Sequence, residues 1–168
     1  MKKSTTKYVV MSGLFAALYT ALTYFSAIFS LAYGPIQLRL SEILTVLPVF
    51  TPYAIPGLCI GCFFGNLSSF NPIDLVFGTA ATLIAACFTR LFRNKLTFGV
   101  PLISMLSPVI INALVIGAEL SIFYLGGFTL LGFLITAGQV AIGEFIVAVL
   151  LGIPFYKILK KYENNIFK

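Results

Sequence analysis

The chain of 168 residues holds five acidic side chains. Glu163 lies in a basic tail and is solvated there. Glu42, Asp74, Glu119 and Glu144 instead fall within or at the ends of long apolar runs. A carboxylate in hydrocarbon costs on the order of several kcal/mol, so such residues face an interior cavity or a partner. Arg39 joins them in "QLRLSE", three positions before Glu42, and no charged residue separates Lys7 from Arg39. Neutral polar groups extend the set. Asn66 and Asn71 lie beside Asp74. Asn112 and Glu119 are seven apart and share one face of a helix. Gly132, Thr136, Gln139 and Gly143 form a second stripe. For an Asn or Gln the competing role is a helix-to-helix hydrogen bond. For Asp74 in "NPID" it is helix capping or pairing with the helix dipole. Glu119 and Glu144 stand mid-helix in apolar sequence and have no such alternative. Several acids with one arginine suit a small, polar, flat ligand that carries hydrogen-bond donors or positive charge.

Catalysis has little to work with. There is no histidine, which excludes Ser-His relays and H-E-x-x-H zinc sites. There is no G-x-x-x-x-G-K run and no soluble segment to hold ATP, so the chain is not expected to be an enzyme or to carry a cofactor of its own. Cys59 and Cys62 form a C-x-x-C in apolar context and read as packing residues, without a metal.

The elements that must position these groups follow from composition. Charged residues make up 10% of the chain, against about 25% in a soluble domain. The reading is an all-α integral membrane protein, a single transmembrane domain over 1–168. Its helices are expected at about 8–32, 40–51, 54–69, 73–91, 99–124 and 128–157. The net charge of +6 is clustered and speaks about topology, not nucleic acid. The clusters are Lys2, Lys3 and Lys7; Arg90, Arg93 and Lys95; and Lys157, Lys160, Lys161 and Lys168. The positive-inside rule places all three in the cytoplasm, with both termini. Three crossings are then needed between residues 40 and 91. The first two are short, and Pro48, Pro52 and Pro56 mark their cytoplasmic turn. The acids and Arg39 come out at or above the midplane on the outer side. "MKKSTTKYVV" resembles the basic region of a signal peptide, but the apolar run after it is too long, and it reads as a retained first helix. No internal repeat of the kind carriers show is evident. Gly13, Ala17 and Ala21, spaced by four in "GLFAALYTAL", make a smooth stripe on which a helix of this chain or of a partner packs closely. Tyr33, Gly34 and Pro35 read as the turn leaving the first helix. This loop is expected to cover the site, with Arg39 holding the acids and Glu42 facing the ligand.

This layout resembles the substrate-binding S components of energy-coupling factor (ECF) transporters. Within them, "YGPIQLRLSEILTVLPVFTPYAIPGL", "GNL" and "DLVFGTAATLIAA" resemble the QueT family of queuosine-precursor transporters, most specifically over residues 33–93. The resemblance implies a subunit of a bacterial cell membrane that captures its substrate from outside. It implies partners too: a transmembrane coupling subunit, docked on Gly13, Ala17 and Ala21, and two cytosolic ATPases that hydrolyse the ATP. The implied substrate is a 7-deazaguanine such as the nitrile, the aminomethyl form or queuine. Its N–H edge suits a carboxylate, its carbonyl suits Arg39, Gln139 or an Asn amide, and its ring could stack on Tyr33 or Tyr124. Rival readings are an S component for another water-soluble vitamin, a proton-coupled carrier with Glu144 as the proton site, and a structural membrane subunit.

Overall fold

An apolar segment in lipid has no water to satisfy its amides, so the backbone must close its hydrogen bonds within the segment. The computed structural model accordingly is built of helices; it describes residues 3–32, 36–69 and 71–167. Helix α1 spans Lys3–Ile28, followed by a 3₁₀ helix Leu40–Val49. Helix α2, Ala54–Asn66, runs on into a 3₁₀ turn Leu67–Ser69. Then come α3, Pro72–Leu91, and α4, Leu102–Tyr124. The last long helix is continuous but changes register: α5 Leu130–Glu144, a π-helical stretch Phe145–Leu151, and α6 Gly152–Lys161. A short α7, Glu163–Ile166, closes the chain.

Among the described residues, four stretches are long and apolar enough to cross a membrane: Thr5–Ile28, Pro72–Leu91, Leu102–Tyr124 and Leu130–Lys161. Leu40–Val49 and Ala54–Asn66 are apolar but shorter. The outside of the bundle is apolar, with Val10, Leu14, Ile110, Leu134 and Ile142 exposed, while Arg39, Glu42, Glu119 and Glu144 are buried. This inverts the arrangement of a water-soluble protein and is that of a membrane protein.

Several elements differ from their sequence expectations. Helix α1 stops at Ile28, short of the expected 32. Ser30 adopts a left-handed φ of 58°. Its amide donates to Ala27 O and that of Leu31 to Ser26 O, both at 2.9 Å, the Schellman closure usually built on glycine. The second segment is 3₁₀, not α. Its ten residues give roughly 20 Å at about 2 Å per residue. Ser41, Glu42, Leu44, Thr45, Val46, Leu47 and Pro48 are all buried, and the segment packs against α1 to α4, the π stretch and α6. It is a central strut, shielded from lipid by its neighbours. The expected turn at Tyr33, Gly34 and Pro35 lies outside the described residues.

Close helix contacts come from glycine. Gly57, Gly61 and Gly65 recur every four residues on α2. A Cβ on Gly61 would stand 2.7 Å from Tyr19 Cβ and 2.8 Å from Ala16 O. One on Gly57 would stand 2.8 Å from Phe15 Cβ and from Ser12 O. Thr20 Oγ1 donates to Gly61 O at 3.1 Å across this seam. The internal small-residue stripe is thus on α2, while Gly13, Ala17 and Ala21 of α1 face outward and are exposed. The proline inside α4 is compensated as well. Pro108 has no N–H to give the carbonyl of Ser104, and Thr89 Oγ1 donates to that oxygen at 3.1 Å. The π register lies just upstream of Pro154, in keeping with the disruption a helical proline imposes.

The basic clusters meet at one end of the bundle. Lys7 Nζ donates to Phe167 O at 3.3 Å, and Arg90 Nη1 donates to Pro48 O and Val49 O at 3.0 and 3.1 Å. Arg39, at the start of the 3₁₀ helix whose other end meets Arg90, and the Asn71–Tyr124 contact lie away from that end.

Candidate functional site

Arg39 is anchored by the segment that precedes it. Leu38 N donates to Leu31 O at 2.8 Å, and Leu40 N donates to Ser26 Oγ at 2.9 Å, so Leu38 and Leu40 lie against the end of α1. Gly143 of α5 lets it come close: an added Cβ would run into the carbonyl oxygen of Gln37. The guanidinium of Arg39 is buried at 8% exposure. Its Nε donates to Ala32 O at 2.9 Å and its Nη1 to Asn66 Oδ1 at 3.0 Å. Asn66 turns its amide the other way, to Asp74 O at 3.0 Å and to Cys62 Sγ at 3.5 Å. One amide thus ties the arginine to α2 and the first turn of α3. Its own burial leaves room for a hydrogen alone at Gly78, where a Cβ would lie 2.5 Å from Asn66 Nδ2.

Around this node stand the acids. Glu42, in the first turn of the 3₁₀ helix, accepts a hydrogen bond from the hydroxyl of Tyr19 on α1. Glu144, where α5 meets the π stretch, accepts one from Asn112 Nδ2 at 2.7 Å. It lies within electrostatic reach of Glu42 and Arg39. Glu119 of α4 has Asp74 of α3 beside it, with Arg39 also in reach. Glu42, Glu119 and Glu144 are 3%, 1% and 6% exposed. Yet Glu42 Oε2, Glu119 Oε1 and Oε2, and Glu144 Oε2 have no donor among the described residues. A buried acceptor left unpaired costs about 1–3 kcal/mol, more if charged. Four such oxygens are found on the buried acids around Arg39.

The placement of the expected residues can be stated one by one. Arg39, Glu42, Asn66, Asn112, Glu119 and Glu144 are buried, Asp74 and Gln139 half-buried. Asn112 and Glu119 are both on the buried side of α4, but Asn112 bonds Glu144 across the helices. Asn71, not Asp74, caps α3, accepting from Ile73 N at 3.0 Å. Asn71 also donates to the hydroxyl of Tyr124, which is 56% exposed. The stripe on α5 mainly packs: Thr136 Oγ1 donates to Gly117 O at 2.7 Å, where a Cβ on Gly117 would meet Ala137 Cα at 2.7 Å. Gln139 sits at the edge of that face. Tyr33, the other stacking candidate, lies outside the described residues. Cys59, Cys62 and Cys87 are free thiols, and Cys62 accepts from Thr82 Oγ1 at 3.2 Å, a packing role.

Two contributors escaped the sequence reading. Tyr19 is wholly buried and holds Glu42. The signal was present in α1, where Ser12, Tyr19, Thr23 and Ser26 put their hydroxyls on one helical face. Gln37 was not singled out either, and it meets α5 one residue before Glu144.

Comparison with known proteins adds an independent observation. Residues 9–161 match the family described as QueT transporter. A curated relative, "Queuosine precursor transporter QueT" of Lactococcus lactis subsp. cremoris (strain MG1363), is 39% identical over 84 residues. That match covers 50% of this chain and 50% of the relative, so it spans about half of the relative's length. No solved structure matches the chain.

Proposed function

This chain belongs to the QueT transporter family, and we propose that it is the substrate-capture subunit of an ATP-driven ECF importer for a queuosine precursor of the 7-deazaguanine class. The observation that carries the reading is the set of buried carboxyl oxygens on Glu42, Glu119 and Glu144 that have no donor among the described residues. A 7-deazaguanine presents adjacent N–H donors on one edge, which a carboxylate accepts in pairs. Its ring carbonyl needs a donor, and Arg39, Asn112 and Gln139 supply that chemistry, whereas the amide hydrogens of Asn66 are taken by Asp74 O and Cys62 Sγ. The aminomethyl form adds a cation, for which Glu119 with Asp74 is the natural receptor. The name of the relative points to the same substrate class. Glu42 faces the ligand, Arg39 and Asn66 fix the start of the 3₁₀ helix beside it, and Tyr19 and Asn112 orient the carboxylates of Glu42 and Glu144.

In this reading the chain is a multi-pass protein of a bacterial cell membrane with both termini cytoplasmic, and the site opens outward. It works with a membrane coupling subunit and two cytosolic ATPases. The outward stripe Gly13, Ala17 and Ala21 is the docking face on α1. Six membrane segments, two of them short, serve the same scheme.

Mass spectrometry of the ligand retained by gently purified protein is the direct test. A 7-deazaguanine is expected, with saturable calorimetric binding when it is added back. Retention of a vitamin without a guanine-like edge would transfer the chain to another substrate class. Uptake driven by a proton gradient, without any ATPase, would replace capture by a carrier with Glu144 as the proton site.

A further inference from the structure

The basic end of the bundle holds a polar cleft whose walls include none of Arg39, Glu42, Glu119 and Glu144. Its volume is about 380 Å³, it is partly enclosed, and its walls include Val49, Phe50, Arg90, Arg93, Asn94 and Lys160. Three elements bring these together: the end of the 3₁₀ helix, the end of α3 with its following turn, and the last turn of α6. We infer that this cleft binds the phosphate headgroup of an anionic phospholipid.

The charges first define an anion site. Arg90 is fixed, because its Nη1 donates to the carbonyls of Pro48 and Val49 at 3.0 and 3.1 Å. It therefore presents a positioned guanidinium, whose planar fork matches phosphate oxygens. Arg93 stands beside it, with Nη1 3.5 Å from Arg90 O. Lys160 faces them from α6. The acid on the wall is Glu163, which holds Lys160 at 2.7 Å in an exposed pair. Such pairs are weak and screened, so an incoming phosphate can share or take that ammonium. Arg90, Arg93 and Lys160 against Glu163 leave an excess of positive charge.

Position and rim then select the kind of anion. The cleft lies where the long apolar helices end, and basic pockets between helices at that level recognise anionic lipid headgroups. The segment that carries Arg93 and Asn94 also supplies Leu96 to the wall. Beyond it Phe98 is 98% exposed, and Leu91, just before, is 70% exposed. A free phosphate has no use for exposed apolar side chains around its site. An amphiphile does: its head enters the cleft and its acyl chains lie along them.

Native mass spectrometry of the whole chain, exchanged into detergent with phosphatidylglycerol or phosphatidylcholine, tests this. Wild type is expected to retain phosphatidylglycerol and to lose phosphatidylcholine. Each cation near a membrane surface contributes roughly five-fold in affinity, so Arg93→Gln with Lys160→Gln should weaken retention roughly ten- to thirty-fold. Arg90 is left intact because of its carbonyl contacts. Substrate affinity, measured on the same samples, should stay at the wild-type value and so report correct folding. Millimolar inorganic phosphate should not displace the lipid. Equal retention of both lipids, retention unchanged in the double variant, or displacement by inorganic phosphate would each overturn the assignment, the last in favour of a site for free anions.

Discussion

Glu119 and Glu144 each carry carboxyl oxygens with no donor among the described residues, and Glu119 has the carboxyl of Asp74 beside it. Substitution by Gln keeps the shape but turns one oxygen into a donor. A ligand N–H would then face an N–H, and leaving it unpaired in a dry site costs about 1–3 kcal/mol. Each of Glu119→Gln and Glu144→Gln should therefore weaken binding roughly ten-fold or more, read by calorimetry. Unchanged affinity in both would assign these residues to helix association. Arg39 gives the complementary prediction. Its guanidinium holds Ala32 O and Asn66 Oδ1, and removing a buried charge from its partners is costly. Arg39→Ala should damage ligand binding far more than Arg93→Ala, at the same salt concentration; equal affinity of Arg39→Ala and wild type would make it a packing anchor remote from the ligand. The acids and Arg39 were legible in the sequence because charge in an apolar run is expensive enough to need a reason. Tyr19 was not. An aromatic residue in an apolar helix can equally face lipid, as the exposed Phe25 does, and spacing alone does not say which face meets α2.

At the scale of elements, the α1–α2 seam couples packing to the site. Gly61 has Tyr19 Cβ within 2.7 Å of where its own Cβ would stand, and Tyr19 holds Glu42. Gly61→Ala must push the helices apart, at a typical overpacking cost of about 1–3 kcal/mol. It should lower the melting temperature and weaken ligand binding together. Gly13→Ala is the control, since nothing lies within 4 Å of its added Cβ, and both quantities should hold. If Gly61→Ala behaves like Gly13→Ala, the seam is looser than the contacts require. The order and approximate limits of the helical segments could be read from the apolar runs and the punctuation between them. Their kind could not. Apolar periodicity does not separate a shielded 3₁₀ strut from a short α-helix, because burial on nearly every side erases the polar face that would reveal the period. The stop of α1 was equally hidden, since Ser30 takes the left-handed position without the glycine that announces it. The glycines of α2 were visible at their spacing of four; the stripe on α1 has the same spacing, and only the fold distinguishes the face that packs inward from the one that does not.

For the whole molecule, the joining of the basic clusters at one end fits a chain with both termini on one side of the membrane. Sidedness can be read with the native cysteines replaced by alanine and single cysteines placed at the exposed Leu125 and Asn94. An impermeant maleimide added to intact cells should label Leu125→Cys and spare Asn94→Cys; the reverse pattern would invert the orientation. Assembly is the remaining question, and α1 poses it sharply. One face, with Phe15, Ala16, Tyr19 and Thr23, is buried. The other carries Gly13, Ala17 and Ala21, all exposed, so packing within this chain does not account for that stripe. Small residues let another helix approach closely, and large ones there prevent it. Ala17→Trp with Ala21→Trp projects two indoles away from the bundle and leaves Tyr19, Glu42 and the α2 seam untouched. Ligand affinity should therefore survive in the purified double variant, while co-purification with the coupling subunit and ATPases, and uptake by cells, should be lost. Loss of ligand binding as well would mean that the indoles disturb the bundle itself. Assembly and uptake at wild-type levels would leave the stripe facing lipid alone.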